Sequence, residues 1–132
     1  MLYMLDTNIL SYLLEGDDSI RSRLFSVLPG NSVELPETVY YEVQRGLFYR
    51  NSRNKQARFD AFCESFPIRS MTKTTLICAA RIYADLRERG QLIEDSDIFI
   101  GATAFANNAT LVTNNVEHLG RIEGLKIENW TC

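Results

Sequence analysis

The sequence predicts one α/β domain with a mostly parallel central sheet and helices on both of its faces. The apolar run Leu2–Leu5 is typical of a buried strand, and a helical pattern starts directly after Asp6. Further strand-like runs alternate with helical segments, which is the order that parallel strands require because each pair needs a crossover. With 132 residues, of which 45% are apolar and 23% charged, we expect a single domain that spans residues 1–132.

The individual elements follow from apolar periodicity and from residues that begin or end helices. The first helix follows Asp6 directly, and the second begins at a cap supplied by Asp17 or Asp18. Pro36 suits the first turn of the third helix, where a proline needs no N–H partner. A short helix is expected between the last two strands. The longer helices are expected at residues 7–16, 17–28, 37–50, 58–66, 72–89 and 98–107, and the strands at residues 2–5, 32–35, 68–71, 110–113 and 125–130.

The composition excludes several classes of protein. A net charge of −3 argues against binding of nucleic acid through bulk charge, so such a role would need local basic faces or metal ions. Cys63, Cys78 and Cys132 are odd in number and lack metal-ligand spacing, which favours reduced thiols over disulfides. The start of the chain lacks the basic segment of a signal peptide, and no apolar run approaches the roughly 20 residues of a membrane span. We therefore expect a soluble cytoplasmic protein.

Asp6 is the first candidate for a functional residue. It closes the first strand at the carboxyl edge of the predicted sheet, where open α/β folds bind their ligands. A carboxylate at this position is either the N-cap of the following helix or the first ligand of a metal. Thr7 and Asn8 could equally provide the cap.

Glu42 is the second candidate, because it lies on or beside the apolar stripe of the 37–50 helix. Val39, Val43 and Gly46 are its neighbours on that helix, at i−3, i+1 and i+4. An ionised acid in such a place is costly unless it is paired or coordinates a cation. The alternative is an ion pair with Arg45, or a side chain that reaches solvent at the edge of the stripe.

Asp97 is the third candidate, since it opens the apolar segment that begins at residue 98. Compensation of the helix dipole, with Asp95 or Ser96 as the cap, is the simpler interpretation. That interpretation accounts poorly for the cluster of Glu94, Asp95 and Asp97, whose charges repel one another without a counterion. Small residues in the same segment, such as Gly101, predict close approach of a neighbouring element.

The segment Thr113-Asn114-Asn115 places polar oxygen atoms at a second strand end. Together with the three acids it predicts an oxygen-rich site for Mg²⁺, or for Mn²⁺ in its place. His118, the single histidine, is expected to be a surface or loop residue, so a soft-metal site is not indicated. Neither a serine or cysteine nucleophile motif nor a glycine-rich phosphate loop is recognisable.

Three segments resemble the PIN-domain ribonucleases, and within that group the VapC-like toxins of type II toxin–antitoxin pairs. They are MLYMLDTNILSYLL, ETVYYEVQRGL and IEDSDIFIGATAFANNATLVTNNVEHLGRIEGLKIENW. The last is the most specific, because it joins an acid, a helix of small residues and a Thr-Asn-Asn strand end in the expected order. The resemblance implies a PIN-domain-like three-layer sandwich, with a central mostly parallel sheet flanked by helices.

The resemblance also implies the roles of the site residues. Asp6, Glu42 and Asp97 would be the catalytic acids that bind Mg²⁺. Many PIN domains carry a fourth acid where this chain has Asn115, which would be a neutral ligand. The polar residues expected to surround these ligands are Thr7, Asn8, Asp95, Thr113, Asn114 and Glu117.

Asp95 and Glu117 are the candidates for supplying the charge that Asn115 lacks. The implied activity is metal-assisted hydrolysis of RNA phosphodiester bonds, with tRNA among the expected substrates. A cognate antitoxin and a homodimer are the implied protein partners, and no membrane is involved. Basic side chains that could face RNA, or form only a solvated surface, are Arg45, Arg50, Arg53, Lys55 and Arg58.

Two other functions remain open. A PIN fold with a site too weak for turnover would act as an RNA-binding or interaction module, and the missing fourth acid favours it. A receiver-like domain phosphorylated on aspartate would need an acceptor Asp after a middle strand and a later Lys. Neither of these is visible in the sequence.

Overall fold

The computed structural model describes residues 1–131, in which seven helices surround a five-stranded parallel sheet. The strands are β1 (Leu2–Leu5), β2 (Ser32–Pro36), β3 (Ile68–Arg69), β4 (Thr110–Val112) and β5 (Lys126–Glu128). The helices are α1 (Thr7–Leu14), α2 (Asp18–Val27), α3 (Glu37–Arg50), α4 (Arg53–Ser65), α5 (Lys73–Glu88), α6 (Asp95–Ala106) and α7 (Val116–Leu119). All strand pairs are parallel, so the predicted fold class is confirmed.

The order of the strands creates one point at which the sheet changes direction. The spatial order is β3-β2-β1-β4-β5, so the chain builds outward from β1 on one side and then returns to add β4 on the other. Leu5 of β1 pairs in register with Val112 of β4. Asp6 and Thr113 therefore leave neighbouring strands at the same carboxyl edge, at the position where open α/β sheets bind ligands.

The central strands are buried on both faces of the sheet. Successive residues of a strand point to opposite faces, and Met4, Leu5, Leu111 and Val112 are all fully buried. The predicted close approach to α6 is also present. A Cβ atom added to Gly101 would lie 2.4 Å from the Cδ1 atom of Ile122. This helix thus packs directly against the segment that leads into β5.

Several element boundaries differ from the sequence-based expectation. Helix α6 begins at Asp95, about one turn before the predicted start at residue 98, and Glu94 occupies its N-cap position without a side-chain cap. The interpretation that Asp95 or Ser96 caps this helix is therefore wrong. Pro36 ends β2 and precedes α3 rather than lying within its first turn.

The cysteines of the described chain are unpaired. Cys63 and Cys78 are free and half-buried, and burial raises the pKa of both thiols. Cys132 lies outside the described residues. Within residues 1–131, none of the helices combines the length and the apolar character that crossing a bilayer demands.

Candidate active site

Asp6 is a buried carboxylate fixed by three hydrogen-bond donors. Its Oδ1 atom accepts from the backbone N–H of Thr7 at 2.7 Å, so Asp6 itself caps α1. Its Oδ2 atom accepts from the Thr113 hydroxyl at 2.7 Å and from the Asn8 amide at 3.3 Å. Burial raises the pKa of Asp6, and these hydrogen bonds oppose that shift because they favour the ionised form. The carboxylate is thus rigidly held at the carboxyl edge of the sheet.

Glu42 reaches the same edge from α3. Its Oε1 atom accepts from the Thr7 hydroxyl at 2.8 Å, which ties α3 to the start of α1. Its Oε2 atom lies 3.7 Å from Nη2 of Arg45, so the alternative ion pair predicted from the sequence is present. That pair is loose, since the Arg45 side chain is 60% exposed and the Glu42 side chain only 17%. Glu42 is therefore oriented mainly by Thr7.

Asp97 lies in the first turn of α6, across the cleft from these two acids. Burial and, to a smaller extent, the carboxylates of Asp6, Glu94 and Glu42 together raise the pKa of Asp97 to about 6, while His118 opposes them. The Nδ1 atom of His118 lies 4.0 Å from Oδ2 of Asp97. Burial is thus the main cause of the raised pKa, and repulsion from the neighbouring carboxylates adds to it.

Asn115, at the N-cap of the short helix α7, and His118, within that helix, complete the site. The side-chain amide of Asn115 lies 3.3 Å from Nδ1 of His118. The backbone N–H of Asn115 donates to the Thr113 hydroxyl at 3.0 Å, and that hydroxyl in turn donates to Asp6. The strand end therefore links the neutral amide to the buried carboxylate through one hydroxyl group.

These side chains line one cleft of about 380 Å³. Its lining consists of Asp6, Thr7, Asn8, Glu42, Glu94, Ser96, Asp97, Asn115 and His118. Within residues 1–131, no three His, Cys, Asp or Glu side chains are positioned closely enough to ligate one ion as they stand. The chemistry of the donors nevertheless fits a hard divalent cation, because they are carboxylates and an amide. A cation would also relieve the repulsion that raises the pKa of Asp97.

The remaining predicted site residues are placed unequally. Thr113 bonds to Asp6, and the backbone N–H of Asn114 donates to Oδ1 of Asn8 at 3.3 Å, so both support the cleft from behind. Asp95 is exposed and does not line the cleft. Glu117 is also outside it, with a side chain that is 83% exposed and lies 3.8 Å from Arg121. Neither residue is therefore positioned to supply the charge that Asn115 lacks.

The predicted RNA-facing basic residues are spread over different surfaces. Arg45 lines a cavity that adjoins the cleft, and Arg50 and Lys55 line a groove between α1 and α3 that includes Glu42. Arg53 lines a separate depression beside α4. Arg58 donates to the backbone carbonyl of Leu14 at 2.7 Å, so its guanidinium serves the packing of α4 on α1.

Comparison with known proteins assigns the family. A family model described as the PIN domain matches residues 3–124, which is most of the chain. The chain belongs to the PIN-domain family. Ribonuclease VapC2 of Rickettsia felis is 32% identical over 132 residues, covering 98% of each chain. This PIN domain is therefore a ribonuclease of the VapC type, the toxin class of VapBC toxin–antitoxin systems.

A solved structure and one more relative are also similar to this VapC-type PIN domain. The structure is that of VapBC2 from Rickettsia felis bound to a promoter DNA fragment, and it superposes with a TM-score of 0.90 at 31% identity. The match covers 98% of this chain and 99% of that one. The tRNA(fMet)-specific endonuclease VapC of Shigella flexneri is 27% identical, covering 98% of each chain.

Three residues that line the cleft are not among the site residues expected from the sequence. Glu94 was considered only as a source of repulsion, Ser96 only as a helix cap, and His118 as a surface or loop residue. His118 is on α7 at the mouth of the cleft, with a side chain that is 45% exposed. Glu94 lies three residues from Asp97, and His118 lies three residues from Asn115. That spacing places side chains on one face of a helix and was the available signal.

Proposed function

We propose that this VapC-type PIN domain is a Mg²⁺-dependent endoribonuclease and the toxin component of a VapBC-type pair. The observation that carries the proposal is the convergence of Asp6, Glu42 and Asp97 on one cleft at the point where the sheet changes direction. The raised pKa of Asp97 supports it, because strongly perturbed carboxylates in a cleft mark functional sites.

Each of the proposed ligands has a role in binding the cation or in orienting the attacking water. Asp6, Glu42, Asp97 and Asn115 would hold the cation, with Mn²⁺ able to replace Mg²⁺. When bound, the cation would lower the pKa of a water molecule and neutralise charge on the scissile phosphate. Asp6 is held by three donors and is the fixed ligand. Glu42 and Asp97 are less constrained, so either is suited to orient the attacking water.

Single-stranded or loop regions of structured RNA are the proposed substrates, with tRNA among them. The cleft is open to solvent beside Arg45, and Arg50 and Lys55 line the neighbouring groove, so basic groups flank the acids. These groups offer phosphate contacts despite the negative net charge of the chain. The tRNA(fMet)-specific relative supports this choice of substrate.

A cognate antitoxin and a second copy of the chain are the proposed protein partners in the cytoplasm. The relative of known structure from Rickettsia felis is a VapBC assembly, which supports the first partner. Exposed aromatic side chains on α3, with Phe48 at 73% and Tyr49 at 92%, offer apolar surface for association. Tyr3 and Leu14, by contrast, are buried in the core.

Cleavage of a circular single-stranded RNA in Mg²⁺ tests the activity, because only an endonuclease can open a circle. We expect wild-type protein to linearise the RNA, and Asp6→Asn and Asp97→Asn to lose this activity. Asp95→Asn is the matched control, since Asp95 is in the same helical turn as Asp97 but is exposed outside the cleft. Cleavage that survives both EDTA and Asp6→Asn would contradict the proposal.

A catalytically weak RNA-binding module is the second candidate function. The neutral Asn115 and the separation of the acids as they stand favour it. Binding of RNA without cleavage in saturating Mn²⁺ would select this function over the nuclease.

A further inference from the structure

A second cavity of about 520 Å³ opens beside the acid cleft and shares part of its wall. Glu42, Glu94 and Ser96 line both spaces, so the two form one continuous surface. We call the second space the aromatic pocket, because Tyr41 and Phe99 line it together with Arg45 and Met71. Its volume is within the range of cavities that bind small molecules.

The aromatic pocket offers an apolar platform that remains largely exposed to solvent. Tyr41 is 60% exposed, although Val39 and Val43 on either side of it in α3 are buried in the core. Phe99 is half-buried, held on α6 against a small cluster around Ile98. Exposed aromatic faces beside a nucleic-acid site are the usual platforms for unpaired bases, since every base has a π-face.

Arg45 stands at the boundary between the pocket and the acids. Its guanidinium lies 5.2 Å from the centre of the Tyr41 ring and 3.7 Å from Oε2 of Glu42. Among the described residues that line the pocket, Arg45 supplies the basic group, while Glu37, Glu42 and Glu94 contribute acids. A phosphate is therefore favoured only near Arg45, and the rest of the pocket favours an uncharged group such as a base.

We propose that the aromatic pocket binds the unpaired base of the nucleotide next to the scissile phosphate. The base stacks on Tyr41, Phe99 contributes apolar wall, and Arg45 contacts the phosphate that joins this nucleotide to the one at the acid cleft. The proposal rests on the proposed ribonuclease function and deepens it. It means that the enzyme selects RNA in which at least one base is free to leave its stack.

The test uses a single-stranded RNA in which 2-aminopurine replaces one purine at a time. The RNA is bound to Asp97→Asn protein in Mg²⁺, so that binding is measured without cleavage. We expect quenched fluorescence at one position and a dissociation constant that rises roughly 5- to 150-fold in Tyr41→Ala, as the loss of one stacked base predicts. Tyr41→Phe should retain the affinity.

Tyr49→Ala is the matched control, because Tyr49 is on the same helix and is 92% exposed but does not line the pocket. Removing the base at the quenched position should weaken binding to the protein that retains Tyr41 and have little further effect in Tyr41→Ala. Equal losses in Tyr41→Ala and Tyr49→Ala, or an abasic effect unchanged by Tyr41→Ala, would overturn the pocket assignment. An absence of measurable RNA binding would overturn it as well.

The outcomes distinguish failure of this proposal from failure of the proposed ribonuclease function. Cleavage by the wild-type protein without quenching at a particular position would leave the nuclease standing and refute the pocket. Quenching that depends on Tyr41, with no cleavage by the wild-type protein, would support the pocket and refute the nuclease.

Discussion

Replacing Asp97 by Asn should stabilise the metal-free protein at neutral pH, although it removes a proposed ligand. The Asp97 side chain is only 18% exposed, and burial together with the charges of Asp6, Glu94 and Glu42 raises its pKa to about 6. At pH 7 its carboxylate is therefore ionised in surroundings that disfavour the charge. Asparagine has a similar shape and cannot ionise, so the variant avoids this repulsion.

The magnitude follows from the two pKa values. The native state binds a proton on Asp97 more tightly than the unfolded chain does, so the stability linked to that proton is fully present below about pH 3.8 and is lost as the pH rises through about 6. A rise from 3.8 to about 6 corresponds to at most about 3 kcal/mol. Because solvent that reaches the exposed part of Asp97 screens these interactions, we expect about 1–3 kcal/mol at pH 7, or roughly 3–10 °C in Tm.

Denaturant unfolding in EDTA at pH 7 and at about pH 4.5 measures the effect. Asp97→Asn should be more stable than wild type at pH 7, and the difference should fall to about a third of that value at the lower pH, which is still above the unfolded-state pKa of 3.8. Mg²⁺ should stabilise the wild-type protein and leave the variant unchanged. Asp95→Asn, altered at an exposed position of the same turn, should differ from wild type by less than about 0.5 kcal/mol. A variant less stable than wild type at pH 7, or a difference independent of pH, would refute the reasoning.

Three other results are expected. Thr113→Val should lower the free energy of unfolding in urea by about 1–3 kcal/mol and raise the pKa of Asp6, because the buried carboxylate loses a hydrogen-bond donor. An unchanged unfolding midpoint would show that the 2.7 Å hydrogen bond does not stabilise the fold. Gly101→Ala should lower the free energy of unfolding by about 1–3 kcal/mol through overpacking. Gly46→Ala, with open space around it in α3, should raise it by about 0.5–1 kcal/mol. Similar effects of the two substitutions would contradict the close packing of α6. The Mg²⁺ affinity measured by calorimetry should increase as the pH rises through about 6 and then level off, because protons compete with the ion for the carboxyl group of Asp97. An affinity independent of pH would argue against binding of the ion by Asp97.

The fold was predictable where one physical signal dominated. The apolar run Leu2–Leu5 was predicted to be a buried strand, and the end of α3 was predicted where it is observed because a polar turn follows Arg50. The start of α6 was missed for a specific reason. Its first turn is polar because that turn borders the acid cleft, so the apolar pattern from which a helix is recognised begins only at Ile98.

The site was predictable residue by residue only for acids that violate a packing rule. Glu42 beside an apolar stripe is conspicuous in one dimension, whereas Glu94 and His118 look like ordinary surface residues. Their place in the cleft depends on how α6 and α7 approach each other, which is decided by Gly101 and the core around Ile122. A pattern read along one helix cannot contain that information, because contact between the two helices sets it.

The sequence suggested that Asp6 is either a helix cap or a metal ligand, as if one role excluded the other, and the geometry shows that it does not. A carboxylate has two oxygens that can be assigned separately. Oδ1 accepts the N–H of Thr7 and begins α1, while Oδ2 takes the Thr113 hydroxyl from the neighbouring strand. Oδ2 also accepts from the Asn8 amide, so the lone pair that remains free is on Oδ1, and a cation can bind there without breaking the cap. Capping thus fixes the carboxylate at the edge of the sheet, and Asn at this position would keep the cap while losing the charge. This is why Asp6→Asn tests the chemistry of the site rather than the folding of α1.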